Sequence, residues 1–194
     1  MTTATDWVHP APQKIEYELA QHVRVIRTIA NDVMIRFDIE RASTIIQAAF
    51  KHHHRLFLCG NGGSAADCQH LAAEFVVKYK SVRTPYPAIS LTTDSSILTA
   101  AGNDFGFDSI FSRQIQAHGQ PGDVLLAIST SGKSPNVLTA IEMAKSCGMK
   151  TIGFSGENGM AIEPDVLIKV PSTVTARIQE AHILIGHILC DALE

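Results

Sequence analysis

The spacing of apolar residues changes character near Lys51. From Ile15 to Lys51 there is no glycine or proline, and Leu19, Val23, Ile26, Ile29 and Ala30 recur three and four positions apart. That is the period of a helix with one apolar face. Asn31-Asp32 interrupts the run and supplies an N-cap for a second helix through Ile35, Ile39, Ala42, Ile45, Ile46 and Ala49. Residues 1–52 are therefore expected to form a helical hairpin. Its apolar positions exceed what one short helix pair hides, which predicts packing on another subunit.

Beyond Lys51 the pattern becomes short apolar runs, each followed by a turn or a helix: Leu56–Cys59, Ala88–Leu91, Val124–Ile128, Thr151–Phe154 and Val166–Val170. Such runs are buried strands. Between them, Ser64–Lys80, Ser109–His118 and Ser134–Cys147 carry helical spacing, and Ala176–Leu193 closes the chain as a long helix apolar on most sides. Alternating strands and helices give an α/β three-layer sandwich with right-handed crossovers. Residues 53–194 are read as one unit around a five-stranded parallel sheet.

Composition narrows the function classes. Of 194 residues, 45% are hydrophobic and 18% charged, with a net charge of −3 and no Lys/Arg stripe, so a nucleic-acid partner is not implied. Cys59, Cys68, Cys147 and Cys190 lack CxxC spacing and suit reduced thiols in a cytoplasm. Residues 1–14 lack the basic start and apolar core of a leader, and no apolar run reaches membrane-spanning length. His52-His53-His54 is read as a solvated helix terminus.

Ligands of open parallel sheets bind at the carboxyl ends of the strands, and two loops there carry suitable chemistry. In Gly60-Asn61-Gly62-Gly63-Ser64 the glycines let backbone approach a ligand, and Ser64 is expected to cap the next helix. In Ser129-Thr130-Ser131-Gly132-Lys133-Ser134-Pro135-Asn136, four hydroxyls precede a helix with Ser134 as N-cap and Pro135 at its first position. Gly60-x-Gly62-x-x-Ala65 also fits a relaxed dinucleotide fingerprint, with Asp94 as ribose-binding acid. That reading leaves the hydroxyl loop without a role and the chain without room for a substrate domain. Gly132-Lys133-Ser134 resembles the end of a triphosphate loop, but Ala127 stands where its first glycine is required. Two ordinary strand-to-helix turns account for the glycines and caps without needing the hydroxyl cluster.

His70 and Glu74, four residues apart, share one helix face. Arg177, Gln179, Glu180, His182 and His187 stand on the otherwise apolar last helix. Each such group must be satisfied somewhere. A buried histidine bonded to backbone and a glutamine bridging subunits are the structural alternatives to a functional role.

Taken together, Gly60–Ser64 with His70-x-x-x-Glu74, Gly102-Asn103-Asp104-Phe105-Gly106, Ser129–Ser134, and Arg177-Ile178-Gln179-Glu180 with His187 resemble the phosphoheptose isomerases of the sugar isomerase (SIS-domain) family. The resemblance implies a flavodoxin-like sheet and conversion of D-sedoheptulose 7-phosphate to D-glycero-D-manno-heptose 7-phosphate through an enediol. This is the entry step of bacterial heptose nucleotide synthesis. By the family pattern Glu74 is the base and His187 the acid. Asn61, Gly62, Gly63, Ser64, Asn103, Asp104, Glu74 and Gln179 would contact the sugar, and Ser129, Thr130, Ser131 and Ser134 the phosphate. Some members bind zinc, and the matching ligands are His70, Glu74, Gln179 and His187, one ion per subunit.

Gln179 and His187 lie roughly 12 Å apart along an ideal helix. The zinc reading therefore expects either a distorted helix or a neighbouring subunit's contribution, with a shared site in a homotetramer. Ala176 stands where some members carry Asp. The alternative is a non-enzymatic SIS-domain adaptor resembling the replication-initiator-associating protein, which lacks the Glu and His found here at positions 74 and 187. A sugar-phosphate sensor of the same family would need an added effector segment, and residues 1–50 have no helix-turn-helix character.

Overall fold

The computed structural model describes residues 12–194. The leader reading of residues 1–14 falls largely outside them. Five parallel strands, β1 (Leu56–Gly60), β2 (Ala88–Ser90), β3 (Val124–Ser129), β4 (Lys150–Ser155) and β5 (Val166–Lys169), form one sheet in the order β2-β1-β3-β4-β5. This is the flavodoxin-like order, whose chain reverses direction across the sheet between β1 and β3. Leu58 is paired with Leu126, and Gly60 with Ile128. The loops after β1 and β3 are thereby set side by side.

Helices α1 (Pro12–Asn31), α2 (Val33–Lys51), α3 (Gly63–Val76), α4 (Ser95–Phe105), α5 (Ser112–His118), α6 (Pro135–Ser146) and α7 (Thr175–Asp191) complete the chain. Alternation along the strands sorts the core into two layers. Leu56, Leu58, Leu126 and Phe154 face α2, α3 and α7, whereas Phe57, Cys59, Leu125 and Ala127 face α5 and α6. Ile39, Ala42, Ile46 and Phe50 of α2 belong to the first layer, so this helix packs on the sheet itself. Asp32 accepts from the backbone amides of Met34 and Ile35, the N-cap expected from sequence, worth about 1 kcal/mol.

Four local expectations are corrected. The helix expected to run to Lys80 ends at Val76, where the Arg83 guanidinium donates to the carbonyl oxygens of Glu74 and Phe75. A helix over Ser95–Phe105 had no counterpart in the apolar spacing, because only Ala101 of it is buried. Its N-cap is Asp94, whose carboxylate accepts from the Ile97 amide, so that acid is engaged in a cap. Ser64 lies inside α3, whose N-cap is Gly62 at φ 55°, a conformation that favours glycine.

His52 caps α2 and His53 takes a positive φ of 62°, so the three histidines make a helix terminus. All four cysteines are free. Burial pushes the Cys59 and Cys68 thiols up, and that of Cys190 to about 12. No helix among the described residues is long and apolar enough to cross a membrane.

Candidate active site

The two ligand loops meet at the carboxyl edge between β1 and β3. Asn61 and Asn136 form a reciprocal amide pair: each Nδ2 donates to the other's Oδ1 at 2.8 Å. The Gln179 side chain lies against Gly63, where an added Cβ would stand 2.5 Å from Gln179 Nε2. In the second loop, the Ser129 and Ser134 hydroxyls are 3.0 Å apart. Ser134 occupies the N-cap position of α6, but its side chain makes no cap bond, which corrects the expected role. Its hydroxyl is turned to Ser129. Ser131 Oγ accepts from the Lys133 amide, and Gly132 holds φ +66° with no room for a side chain beside Gly159. Thr130, Ser131, Lys133, Asn158, Ser172 and Thr175 border a cavity of about 210 Å³ beside this loop. Ser129 and Ser134 lie outside its lining.

A second group of candidates gathers where α3 packs on α7. The Nε2 atoms of His70 and His187 are 2.8 Å apart, one ring donating and the other accepting. Glu74 Oε1 stands 3.8 Å from His70 Nε2. Tyr79, from the loop after α3, stacks on His187 with centroids 5.3 Å apart at 26°. Its position past the helix end gave no sequence signal. Asp67 lies three residues before His70, on the same helix face by spacing alone. Its Oδ2 is buried without a hydrogen-bond partner, and burial raises its carboxyl against the pull of His70.

The structure thus brings together His70, Glu74 and His187 of one chain but leaves Gln179 at the other end of the α3–α7 contact. α7 runs as one helix from Thr175 to Asp191, and His187 reaches His70 without help from a neighbour. What a single chain does not assemble is the four-ligand zinc set. The two ring nitrogens bond each other, and among the described residues no three His, Cys, Asp or Glu side chains are placed to hold a metal. The donor types suit zinc; their placement in one chain does not.

Glu74 also lies roughly 16 Å along α3 from Gly63. The acid–base group and the loops of one chain are therefore separated by most of that helix. Asn103 and Asp104 are exposed near the end of α4, and Asn103 Nδ2 donates to Asp104 Oδ1 at 2.7 Å.

The other polar groups of α7 are structural. Arg177 donates to Glu180 and to the backbone oxygen of Glu18, and His22 Nδ1 donates to Glu180 Oε2 at 2.7 Å, tying α1 to α7. Burial alone would raise the Glu180 carboxyl, but the bonds from Arg177 and His22 outweigh it and hold it low. His182 is fully buried, and its Nε2 donates to the Ser155 carbonyl at 3.2 Å. Desolvation lowers its pKa to about 4, so the ring is neutral.

The SIS domain family pattern matches residues 21–156. A phosphoheptose isomerase of Nitratiruptor sp. is 50% identical over 184 residues, covering 94% of this chain and 97% of the relative. This chain belongs to the phosphoheptose isomerase family. Two solved members share its fold: the phosphoheptose isomerase from Francisella tularensis, with TM-score 0.90 at 35% identity over 95% of this chain and 98% of that one, and the one from Neisseria gonorrhoeae, with TM-score 0.86 at 39% identity over 93% and 97%. The family likeness spans both loops and the α3–α7 contact.

Proposed function

We propose that this protein is an aldose–ketose isomerase that converts D-sedoheptulose 7-phosphate to D-glycero-D-manno-heptose 7-phosphate in the cytoplasm. The observation that carries the reading is the meeting of a carboxylate and two imidazoles, Glu74, His70 and His187, in a chain whose family relatives are named for this reaction. The isomerisation moves a proton between neighbouring carbons through an enediol, which calls for a general base and a general acid. Glu74 takes the proton from carbon, and His187 delivers one to the carbonyl oxygen. Asn61, Gly62, Gly63, Ser64 and Gln179 hold the sugar, and Ser129, Thr130, Ser131 and Ser134 hold the phosphate through their hydroxyls.

The separation of Glu74 from its own chain's loops supports a site completed between copies of the chain, in a homotetramer. Exposed apolar residues on α1 and α2, among them Tyr17, Leu19, Met34 and Phe37, support the same reading. Asn103 and Asp104, on an exposed helix end, would join the site from a neighbouring copy. Zinc belongs to the proposal through the donor types of His70, Glu74, Gln179 and His187, which would have to be regrouped from their placement in one chain to hold a single ion. When bound, such an ion stabilises the enediolate oxygen.

The adaptor alternative is disfavoured by the presence of Glu74 and His187. Incubation with sedoheptulose 7-phosphate, with and without added zinc, should yield heptose 7-phosphate. Glu74→Gln should abolish turnover while retaining substrate binding. Absence of turnover by the unaltered protein overturns the reading, and a fully active Glu74→Gln removes Glu74 from the role of base.

A further inference from the structure

Asn136 is 1% exposed, yet it is a polar residue in the first turn of α6, next to Pro135. A buried carboxamide with no partner would be costly. Among the described residues its side-chain partner is Asn61, on a different loop 75 residues away, through two bonds of 2.8 Å. The pair spans the switch point between β1 and β3. It joins Gly60–Ser64, given to the sugar in the proposed function, to the helix that opens after Ser129–Ser134, given to the phosphate.

We propose that Asn136 is a positioning residue for substrate binding, acting through Asn61. A primary carboxamide has two N–H donors and two acceptor lone pairs. The reciprocal pair uses one of each on Asn61 and fixes the plane of its amide. One N–H and one lone pair remain on Asn61, aimed by the pair and ready for a sugar hydroxyl and its proton. Asn136, being buried, contacts no substrate itself. It sets the orientation of Asn61 and holds the two loops at a fixed spacing, so that the two ends of a sugar phosphate meet their loops together. Without it, Asn61 rotates freely and the substrate must order the loop as it binds.

This inference rests on the proposed isomerase activity, and the test separates the two. The unaltered protein must first turn over sedoheptulose 7-phosphate; failure there strikes the activity and not the pair. Given turnover, Asn136→Ala should raise KM about tenfold with kcat changed less than about threefold, the size expected for one lost hydrogen bond. Asn61→Ala, which removes the sugar contact as well as the pair, should raise KM at least as much, and the double variant should be no worse than Asn61→Ala alone, because Asn136 acts only through Asn61. Additive losses, or an Asn136→Ala enzyme with unaltered KM, overturn the proposal. Asn136→Ser, smaller and uncharged, loses the reciprocal pair without burying a carboxylate against Asn61 Oδ1, so it serves if the alanine variant does not fold. It should raise KM by several-fold, and an unaltered KM would overturn the proposal in the same way. A purely structural role would lower the melting temperature of these variants and leave the KM of the folded enzyme unchanged.

Discussion

Replacing Gly63 by alanine should separate the stability of this protein from its activity. A Cβ at Gly63 would stand 2.5 Å from Gln179 Nε2, 2.9 Å from its Cδ and 3.2 Å from its Oε1. Ordinary contact starts at 3.4 Å, so the amide nitrogen must retreat by 3.4 − 2.5 = 0.9 Å. The atoms in the way form the far end of a flexible side chain, which yields cheaply. Alanine in place of a helical glycine adds up to about 1 kcal/mol of helix preference, offsetting part of that cost. The melting temperature should therefore move by less than about 5 °C. Activity has no such compensation, because a displacement of this size at a substrate-holding group costs on the order of a hundredfold. The assay is kcat/KM for sedoheptulose 7-phosphate beside a thermal melt. A stable variant with full activity would refute the placement of Gln179 in the site. A variant that unfolds would refute the claim that the side chain yields. Gly63→Ala combined with Gln179→Ala should melt like the unaltered protein and remain impaired.

Three further outcomes are expected. Gly132→Ala should destabilise by about 1–3 kcal/mol through its positive φ, with added cost from a Cβ aimed into the Gly159 carbonyl, and should weaken binding of inorganic phosphate; urea unfolding and calorimetry check the two effects. His182, with its pKa lowered from 6.5 to about 4, favours the fold while neutral. Its contribution is complete above pH 6.5 and is lost as pH falls toward 4, where the unfolded chain alone takes up the proton, a loss of about 3 kcal/mol. His182→Gln should flatten that slope in unfolding series at pH 7.5, 5.5 and 4.5, and an unchanged slope would exclude His182 as its source. Elemental analysis of the untreated protein against His70→Ala should find zinc lost with the imidazole; equal zinc in both would remove His70 from the ligand set.

The strands were legible because a strand buried on both faces is apolar at nearly every position, as in the six buried residues of Val124–Ser129. Asp32 was legible because a cap is a local device, read within three residues. The helix over Ser95–Phe105 was not, since an element that buries one residue leaves no apolar period. Ser64 and Ser134 misled for a related reason. Each has the composition of a cap, but Gly62 already turns the chain before Ser64, and Ser129 takes the hydroxyl of Ser134.

For the site, the sequence by itself determined which residue types were on offer: two glycine- and hydroxyl-rich loops, a His–Glu pair one helical turn apart, and polar groups on an apolar last helix. Those are properties of neighbours along the chain. Only the tertiary structure decided the groupings, because contact between distant segments depends on how helices pack and strands pair. The parallel packing of α3 and α7 sets Gln179 against Gly63 and His187 against His70, so one helix serves two separate places and the expected four-ligand cluster is divided. The β1–β3 pairing joins Asn61 to Asn136 across 75 residues, an interaction that no local pattern announces.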